Sequence, residues 1–405
     1  MSDDWLFVYP DQDDCEPSNG YKIGGFCPIK LGDVLGDPPQ YIVIAKLGFG
    51  DYSTVWLARD RVLSRTVALK ILDAEQTGQS RELDILRRLE VPASVSSKDP
   101  RPVQLLDSFE TTSANGVHQV LVTDVAVPLL NPDPDPSSFQ PRMTKDILRQ
   151  LVQTLAFLHS RGIAHGDLNP TNFGLAVRNL NRCSENMFWR ENCLPRTFPL
   201  VSCSPDLDPN SFPPYLCPSM DCDLRGFLLK EFPIKGHLPS SVRILDFGSG
   251  APYVADGSPA PQRQTPLFYA APEVAFPEVA LDDYDAPWDQ RSDIWSLAIA
   301  FHDLVAAQGI YGSLSESDPK SLPHLMAALC GGVPDAWHEY IASRAFPLGT
   351  FPEPLWKKIE ADFEVARADD PPGLVRLLRR MMILDPAKRP TAAELLGDPY
   401  FVCRE

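Results

Sequence analysis

The sequence predicts an α+β fold in two lobes: a small antiparallel-sheet lobe with one main helix, then a larger, mostly helical lobe. Three observations carry this. Residues 41–125 read as strand, glycine turn, strand, strand, helix, strand. After Pro141 the apolar positions recur at helical spacing. The 405 residues are 44% hydrophobic and 22% charged, enough to bury a core of that size.

Residues 41–47 (YIVIAKL) and 54–58 (TVWLA) are rich in β-branched and apolar side chains and flank the loop Gly48-Phe49-Gly50-Asp51-Tyr52-Ser53. A third strand is RTVALKIL at 65–72, and a fourth is HQVLVTDV at 118–125. Between them Leu83, Leu86 and Leu89 mark a helix, and Glu82 points inward if those leucines pack. In the second half Ile147, Leu148, Leu151, Leu155 and Leu158 form one face of an amphipathic helix that stops near Gly162. RILDFGSG (243–250) is a short strand ending in a turn, RSDIWSLAIAFHDLV (291–305) a very apolar helix, and GLVRLLRRMMILD (373–385) a late helix. The sequence predicts an N-terminal extension over 1–40, a small lobe over 41–126 and a large lobe over 127–402.

A Pro- and Cys-rich insertion at about 176–242 interrupts the large lobe. It has nine prolines between 195 and 239 and the cysteines Cys183, Cys193, Cys203, Cys217 and Cys222. Their spacings match no zinc pattern, so the stretch reads as surface loops.

The net charge of −17, from 54 acidic and 37 basic residues, argues against a nucleic-acid or anionic-membrane binder and suits a basic partner. The acidic start shows no secretory signal and no apolar run reaches about 18 residues, so no membrane span is expected. Nine cysteines without an export signal read as reduced thiols in the cytoplasm and/or nucleus.

Moving a phosphoryl group takes a cover over the nucleotide, a charge clamp, a base and metal ligands, and each has a candidate here. Gly48 and Gly50 let backbone approach phosphates. Lys70, at the end of VALK, can reach the α- and β-phosphates, and Glu82 can pair with it. Asp167, in His165-Gly166-Asp167-Leu168-Asn169-Pro170-Thr171-Asn172, can accept a hydrogen bond from a substrate hydroxyl. Asn172 and Asp246 offer the hard oxygens that magnesium prefers. Each residue alone is ordinary; their joint order is the signal.

That order, with Ala271-Pro272-Glu273 and the SDIW helix, resembles the eukaryotic protein kinase superfamily over about residues 41–402. GGFCPIKLGDVL, LGFGDYSTVWLARD and VQLLDSFETTSANGVHQVLVTDV look like the SR-protein kinases, especially their diverged fungal relatives. The resemblance implies a bilobal protein-kinase fold that binds ATP and Mg2+ between its lobes and phosphorylates serine in basic Arg/Ser-rich proteins. It implies no direct nucleic-acid or membrane partner, and a monomer. It places Leu47, Val55 and Ala68 about the nucleotide with the glycines and Lys70. It makes Thr123 the gatekeeper and has Asp124 to Ala126 offer backbone groups to adenine. It assigns structural roles to Asp293, which braces the catalytic loop, and to Arg389, which pairs with Glu273.

The chain departs from that pattern. Asn169 stands where the family has a catalytic-loop lysine, and Gly166 where an arginine commonly clamps an activation-loop phosphate. Ser53 replaces the third glycine, and Asp51 puts negative charge at the loop tip. Either Thr265 or Pro266 takes the place of the threonine that contacts the catalytic aspartate. Arg263 is a candidate source of the charge that Asn169 lacks. Two rival readings follow: a pseudokinase binding module, and a small-molecule kinase, whose HGDLHPGN loop is similar to HGDLNPTN.

Overall fold

The computed structural model describes residues 7, 15–90, 101–129, 141–176, 180, 196–219, 241–252, 265–311, 319–343 and 352–402. The strands, in chain order, are β1 (Val34–Leu35), β2 (Tyr41–Gly50), β3 (Ser53–Asp60), β4 (Arg65–Leu72), β5 (Arg101–Pro102), β6 (Leu105–Ser113), β7 (Gly116–Thr123), β8 (Ala126–Pro128), β9 (Ile163–Ala164), β10 (Phe173–Ala176), β11 (Phe198–Pro199), β12 (Tyr215–Leu216), β13 (Val242–Ile244) and β14 (Ala251–Pro252). The helices are α1 (Glu82–Arg88), α2 (Pro141–Ser160), α3 (Pro272–Leu281), α4 (Gln290–Ala306), α5 (Leu322–Cys330), α6 (His338–Ser343), α7 (Pro352–Val365), α8 (Pro371–Met381), α9 (Ala392–Leu395) and α10 (Pro399–Val402). They gather into two compact units. One takes Met1–Ser94, Val103–Pro128 and Leu175–Ser240; the other takes Val95–Pro102, Leu129–Gly174 and Ser241–Glu405.

The first unit is built on a six-stranded sheet in the order β1-β2-β3-β4-β7-β6. Its β2–β3, β3–β4, β4–β7 and β6–β7 pairs are all antiparallel. Alternation puts Val43, Trp56, Ala58, Val67, Leu69, Ile71, Val120 and Val122 into one core. The strand β6, LLDSFETTS, escapes a pattern reading because it lies at the sheet edge and carries polar side chains among its apolar ones. The helix α1 buries Glu82, Ile85 and Leu86, with Leu89 buried just beyond it, while Leu83 is only half-buried. Ile85, not Leu83, therefore packs beside Glu82.

The described part of the Pro- and Cys-rich stretch folds with this unit. Leu216 of the short antiparallel pair β11–β12, with Leu200 just after β11, joins a second core with Phe7, Cys15, Tyr21 and Phe26. The Asn115 amide donates to the carbonyls of Phe26 and Ser211, both at 2.7 Å, and so ties the two segments to the β6–β7 turn. Glu16 forms an ion pair with Lys46 of β2, with both side chains buried, and accepts from the Tyr21 hydroxyl. Cys15 and Cys217 are buried thiols outside any disulfide, and Cys203 is an exposed one. Among the described residues no cluster of His, Cys, Asp and Glu could hold a metal. Cys183, Cys193 and Cys222 lie outside the described residues.

In the second unit Ile147, Leu148, Leu151, Leu155 and Leu158 of α2 are all buried. The helix stops where Gly162 turns to φ 68°. The helix α4 starts on a capping box between Asp289 and Ser292 and buries Ile294, Trp295, Leu297, Ala298 and Phe301. Strand β13 pairs in parallel with β5. Arg389, 1% exposed, donates to both Glu273 oxygens at 2.8 and 2.6 Å, a bidentate pair that joins the start of α3 to the stretch before α9. Among the described residues no helix is long and apolar enough to cross a membrane.

Candidate active site

The first unit carries the residues that the resemblance assigns to the nucleotide. Strands β2 and β3 meet in a two-residue turn, Asp51-Tyr52, with Gly48 opposite Val55 and Gly50 opposite Ser53. A Cβ added at Gly48 or Gly50 would meet no atom within 4 Å. Packing among the described residues therefore does not demand these glycines. Leu47 and Val55 are half-buried and Ala68 buried. Lys70 lies opposite Val55 on β3 and Leu121 on β7, which fixes its height on the sheet. Its ammonium donates to Glu82 Oε1 at 2.9 Å and lies 2.7 Å from Oε2. Glu82 is 2% exposed and opens α1, so the clamp is anchored from a buried carboxylate.

Thr123 ends β7 opposite Ala68 and is buried. Asp124 turns its side chain away to accept from the Gln104 N–H at 2.6 Å, and its own N–H donates to the Gln104 carbonyl at 3.2 Å. Ala126 opens β8.

The second unit carries the residues that the resemblance assigns to phosphoryl transfer. Asp167 is gripped by two amides. Asn169 Nδ2 donates to its Oδ1 at 2.9 Å, and Asn172 Nδ2 donates to its Oδ2 and to its carbonyl, both at 2.8 Å. Asn169 has a second task, because its Oδ1 accepts from the Thr171 N–H at 3.0 Å and caps the short 3-10 turn Pro170–Asn172. The residue standing in the lysine position thus supplies a donor to the aspartate and the cap of its loop.

The loop is braced from behind. Asp293 of α4 accepts from the backbone N–H groups of His165 (2.8 Å) and Gly166 (3.0 Å), and lies 2.9 Å from His159 Nε2. His165 is fully buried, its ring bonded to the Leu245 carbonyl at 2.9 Å and tilted against Phe247. Burial pushes its imidazole below the usual histidine range, the nearby Asp293 opposing. The Thr265 hydroxyl donates to the Gly166 carbonyl, so of the two alternatives Thr265 is the residue that reaches the catalytic loop, through backbone.

Asn172 and Asp246 are drawn together by backbone: the Leu245 N–H donates to the Asn172 carbonyl at 2.8 Å. Asp246 takes a left-handed conformation, φ 57°, costly for a residue with a Cβ and characteristic of functional turns. Its Oδ1 accepts from the Gly248 N–H at 3.1 Å. Because Asn172 donates through its nitrogen, its amide oxygen faces the other way. An amide oxygen and a carboxylate would suit magnesium and not a soft metal. Arg263 lies outside the described residues.

Pattern reading missed the Asn169 amide bond to Asp167 and the neighbour of Gly166. The first had a signal, since asparagine caps turns. The second had none, because the neighbour, Trp288, is far along the chain.

The protein kinase domain family matches residues 41–180 and 228–401. The serine/threonine-protein kinase spk-1 of Caenorhabditis elegans is 36% identical over 172 residues, 40% of this chain and 17% of that protein. SRSF protein kinase 3 of Homo sapiens is 34% identical over 174 residues, 41% of this chain and 30% of that protein. The chain thus spans less than a third of the length of either. A serine/threonine protein kinase of Aspergillus fumigatus is 27% identical over 406 residues, 95% of this chain and 89% of that one. A kinase-domain crystal structure superposes with a TM-score of 0.58 at 15% identity, covering 92% of this chain and 98% of that one, which shows a shared fold.

Proposed function

The chain belongs to the protein kinase family, and from that premise we propose that it is an ATP-dependent serine/threonine protein kinase acting on serines of basic, Arg/Ser-rich proteins. The observation that carries the reading is the state of Asp167. Two amides, from Asn169 and Asn172, hold the Asp167 carboxylate in one orientation, an arrangement that a fold kept for binding alone would not need. Asp167 accepts the hydrogen bond of the substrate hydroxyl and aims its oxygen at the γ-phosphorus. Lys70, fixed by Glu82, meets the α- and β-phosphates. Asn172 and Asp246 would hold Mg2+, which when bound supplies positive charge to the phosphates. Thr123, Asp124 and Ala126 line the adenine end, with Leu47, Val55 and Ala68 as the apolar lining.

The substrate class is supported by the net charge of −17 and by the similarity to SRSF protein kinase 3. The rate is low. Asn169 donates a hydrogen bond but brings no charge to the migrating phosphoryl group, and one missing preorganised donor costs about 10²–10³ in rate. The protein acts as a cytoplasmic and/or nuclear monomer. The test is transfer of labelled γ-phosphate from Mg-ATP to an Arg/Ser peptide, with Asp167→Ala as control. Transfer lost in the control supports the reading. Mg-ATP binding without transfer by the wild type means a pseudokinase, and transfer to an aminoglycoside instead means a small-molecule kinase.

A further inference from the structure

Gly166, the residue before the proposed catalytic aspartate, is enclosed on three sides. Its N–H donates to Asp293 at 3.0 Å. Its carbonyl accepts from the Thr265 hydroxyl. Its third side is closed by the indole of Trp288: a Cβ added at Gly166 would lie 2.3 Å from Cη2, 2.8 Å from Cζ3 and 2.9 Å from Cζ2 of that ring. Gly166 also sits at φ 73°, where a residue with a Cβ is strained. With the ring in place, position 166 therefore has no room for an arginine, and its backbone would be strained by one. An aromatic ring occupies the space into which any side chain would have to grow.

Trp288 is itself held in place. It directly precedes Asp289, whose side chain accepts from the Arg291 N–H at 2.7 Å in the capping box that starts α4. The same helix supplies Asp293. One rigid element thus presents a carboxylate to the Gly166 N–H and, from its N-terminal edge, a ring to the Gly166 Cα.

We propose that Trp288 is a positioning residue for phosphoryl transfer: its ring packs on Gly166 and fixes the peptide that aims Asp167, so the loop is ordered without a phosphate. This rests on the kinase reading above. The consequence is that phosphatase treatment leaves the rate unchanged, because no phosphate receptor exists at position 166. Removing the ring frees the Gly166–Asp167 peptide to rotate. A misplacement of about 1 Å in a reacting group costs on the order of 10²-fold in rate, so a loss of at least about tenfold in kcat is expected.

The experiment uses the full chain and two readouts. Hydrogen exchange is followed in the peptides covering 163–172 and 290–306, and transfer to an Arg/Ser peptide is measured with Mg-ATP. Trp288→Ala should speed exchange in 163–172 by about tenfold or more while leaving 290–306 protected. It should lower kcat with the KM for ATP nearly unchanged, and Trp288→Phe should restore much of both. Gly166→Ala should be impaired alone and less impaired in the Trp288→Ala background, because the clashing ring is gone. Unchanged exchange in 163–172, or unchanged kcat in an active enzyme, would overturn the proposal. So would a loss that Trp288→Phe does not repair. A wild type that transfers nothing defeats the kinase reading instead, and the exchange measurement still decides whether Trp288 orders the loop.

Discussion

Asn169→Asp is the sharpest perturbation of the site, because it changes one group and almost no shape. Aspartate caps a turn as well as asparagine, so the Thr171 N–H keeps its acceptor at 3.0 Å. The Nδ2 donor that lies 2.9 Å from Asp167 Oδ1 becomes an oxygen. Two full charges at that separation repel by about 6 kcal/mol at an effective dielectric of 20. The side chains relieve much of this by turning apart or sharing a proton. What is lost while both carboxylates are charged is the charge-assisted hydrogen bond, worth about 1.5–3 kcal/mol. If that bond aims Asp167 in the transition state, kcat falls by about 10- to 150-fold. The assay is steady-state transfer to an Arg/Ser peptide, with ATP affinity and thermal melting measured beside it. Melting should move by no more than about 2 °C, and ATP affinity should hold. The variant should also regain activity as pH falls from 8 to 6, because a shared proton restores a hydrogen bond between the carboxyls. A kcat within about threefold of wild type, with no new pH dependence, would show that the Asn169 amide does not position Asp167.

Asn169→Lys should raise transfer tenfold or more if the missing charge limits the rate, at a stability cost of about 1 kcal/mol for the orphaned Thr171 N–H; an unchanged rate with ATP binding intact would mean that the charge is supplied elsewhere. Glu16→Ala should lower stability by about 3–5 kcal/mol in urea unfolding, since it leaves the Lys46 ammonium buried without its carboxylate; a loss below about 1 kcal/mol would mean that the extension does not share the fold. Stability should fall as pH drops from 7.5 to 5.5. Burial pushes both His118 and His165 below their ordinary value, so the unfolded chain takes up protons near pH 6.5 that the folded one refuses, with a slope of up to about 1.4 kcal/mol per pH unit for each; urea melts that strengthen on acidification would refute it. Arg/Ser peptides should be preferred over acidic ones at low salt and the preference should shrink at high salt, where the Debye length drops below about 10 Å; equal use of acidic peptides would mean that the −17 charge serves only solvation.

What could be read from the chain and what could not divide along one physical line. Local periodicity exposed β4 over Arg65–Leu72 to the residue, and the buried face of α2, because both are dictated by neighbours in sequence. The charge pair Lys70–Glu82 was legible through motif order, although the helix that Glu82 opens packs Ile85 where Leu83 was expected. The strand β6 was not legible, since at an edge one side is solvated and apolar alternation weakens. The small core that joins Phe7 and Tyr21 to Leu200 and Leu216 was not legible either, because its halves lie nearly 180 residues apart and neither half has a period. The active loop teaches the same lesson more sharply. Read by motif, Gly166 and Asn169 are losses: an arginine gone, a lysine gone. In the fold each position is already occupied by another interaction. The Trp288 ring closes over Gly166, and the Asn169 amide reaches Asp167 and Thr171 at once. Restoring the family residue at 166 would therefore not restore the family function. An arginine there must displace an indole and adopt a strained backbone, so it should cost activity where Asn169→Lys should add it.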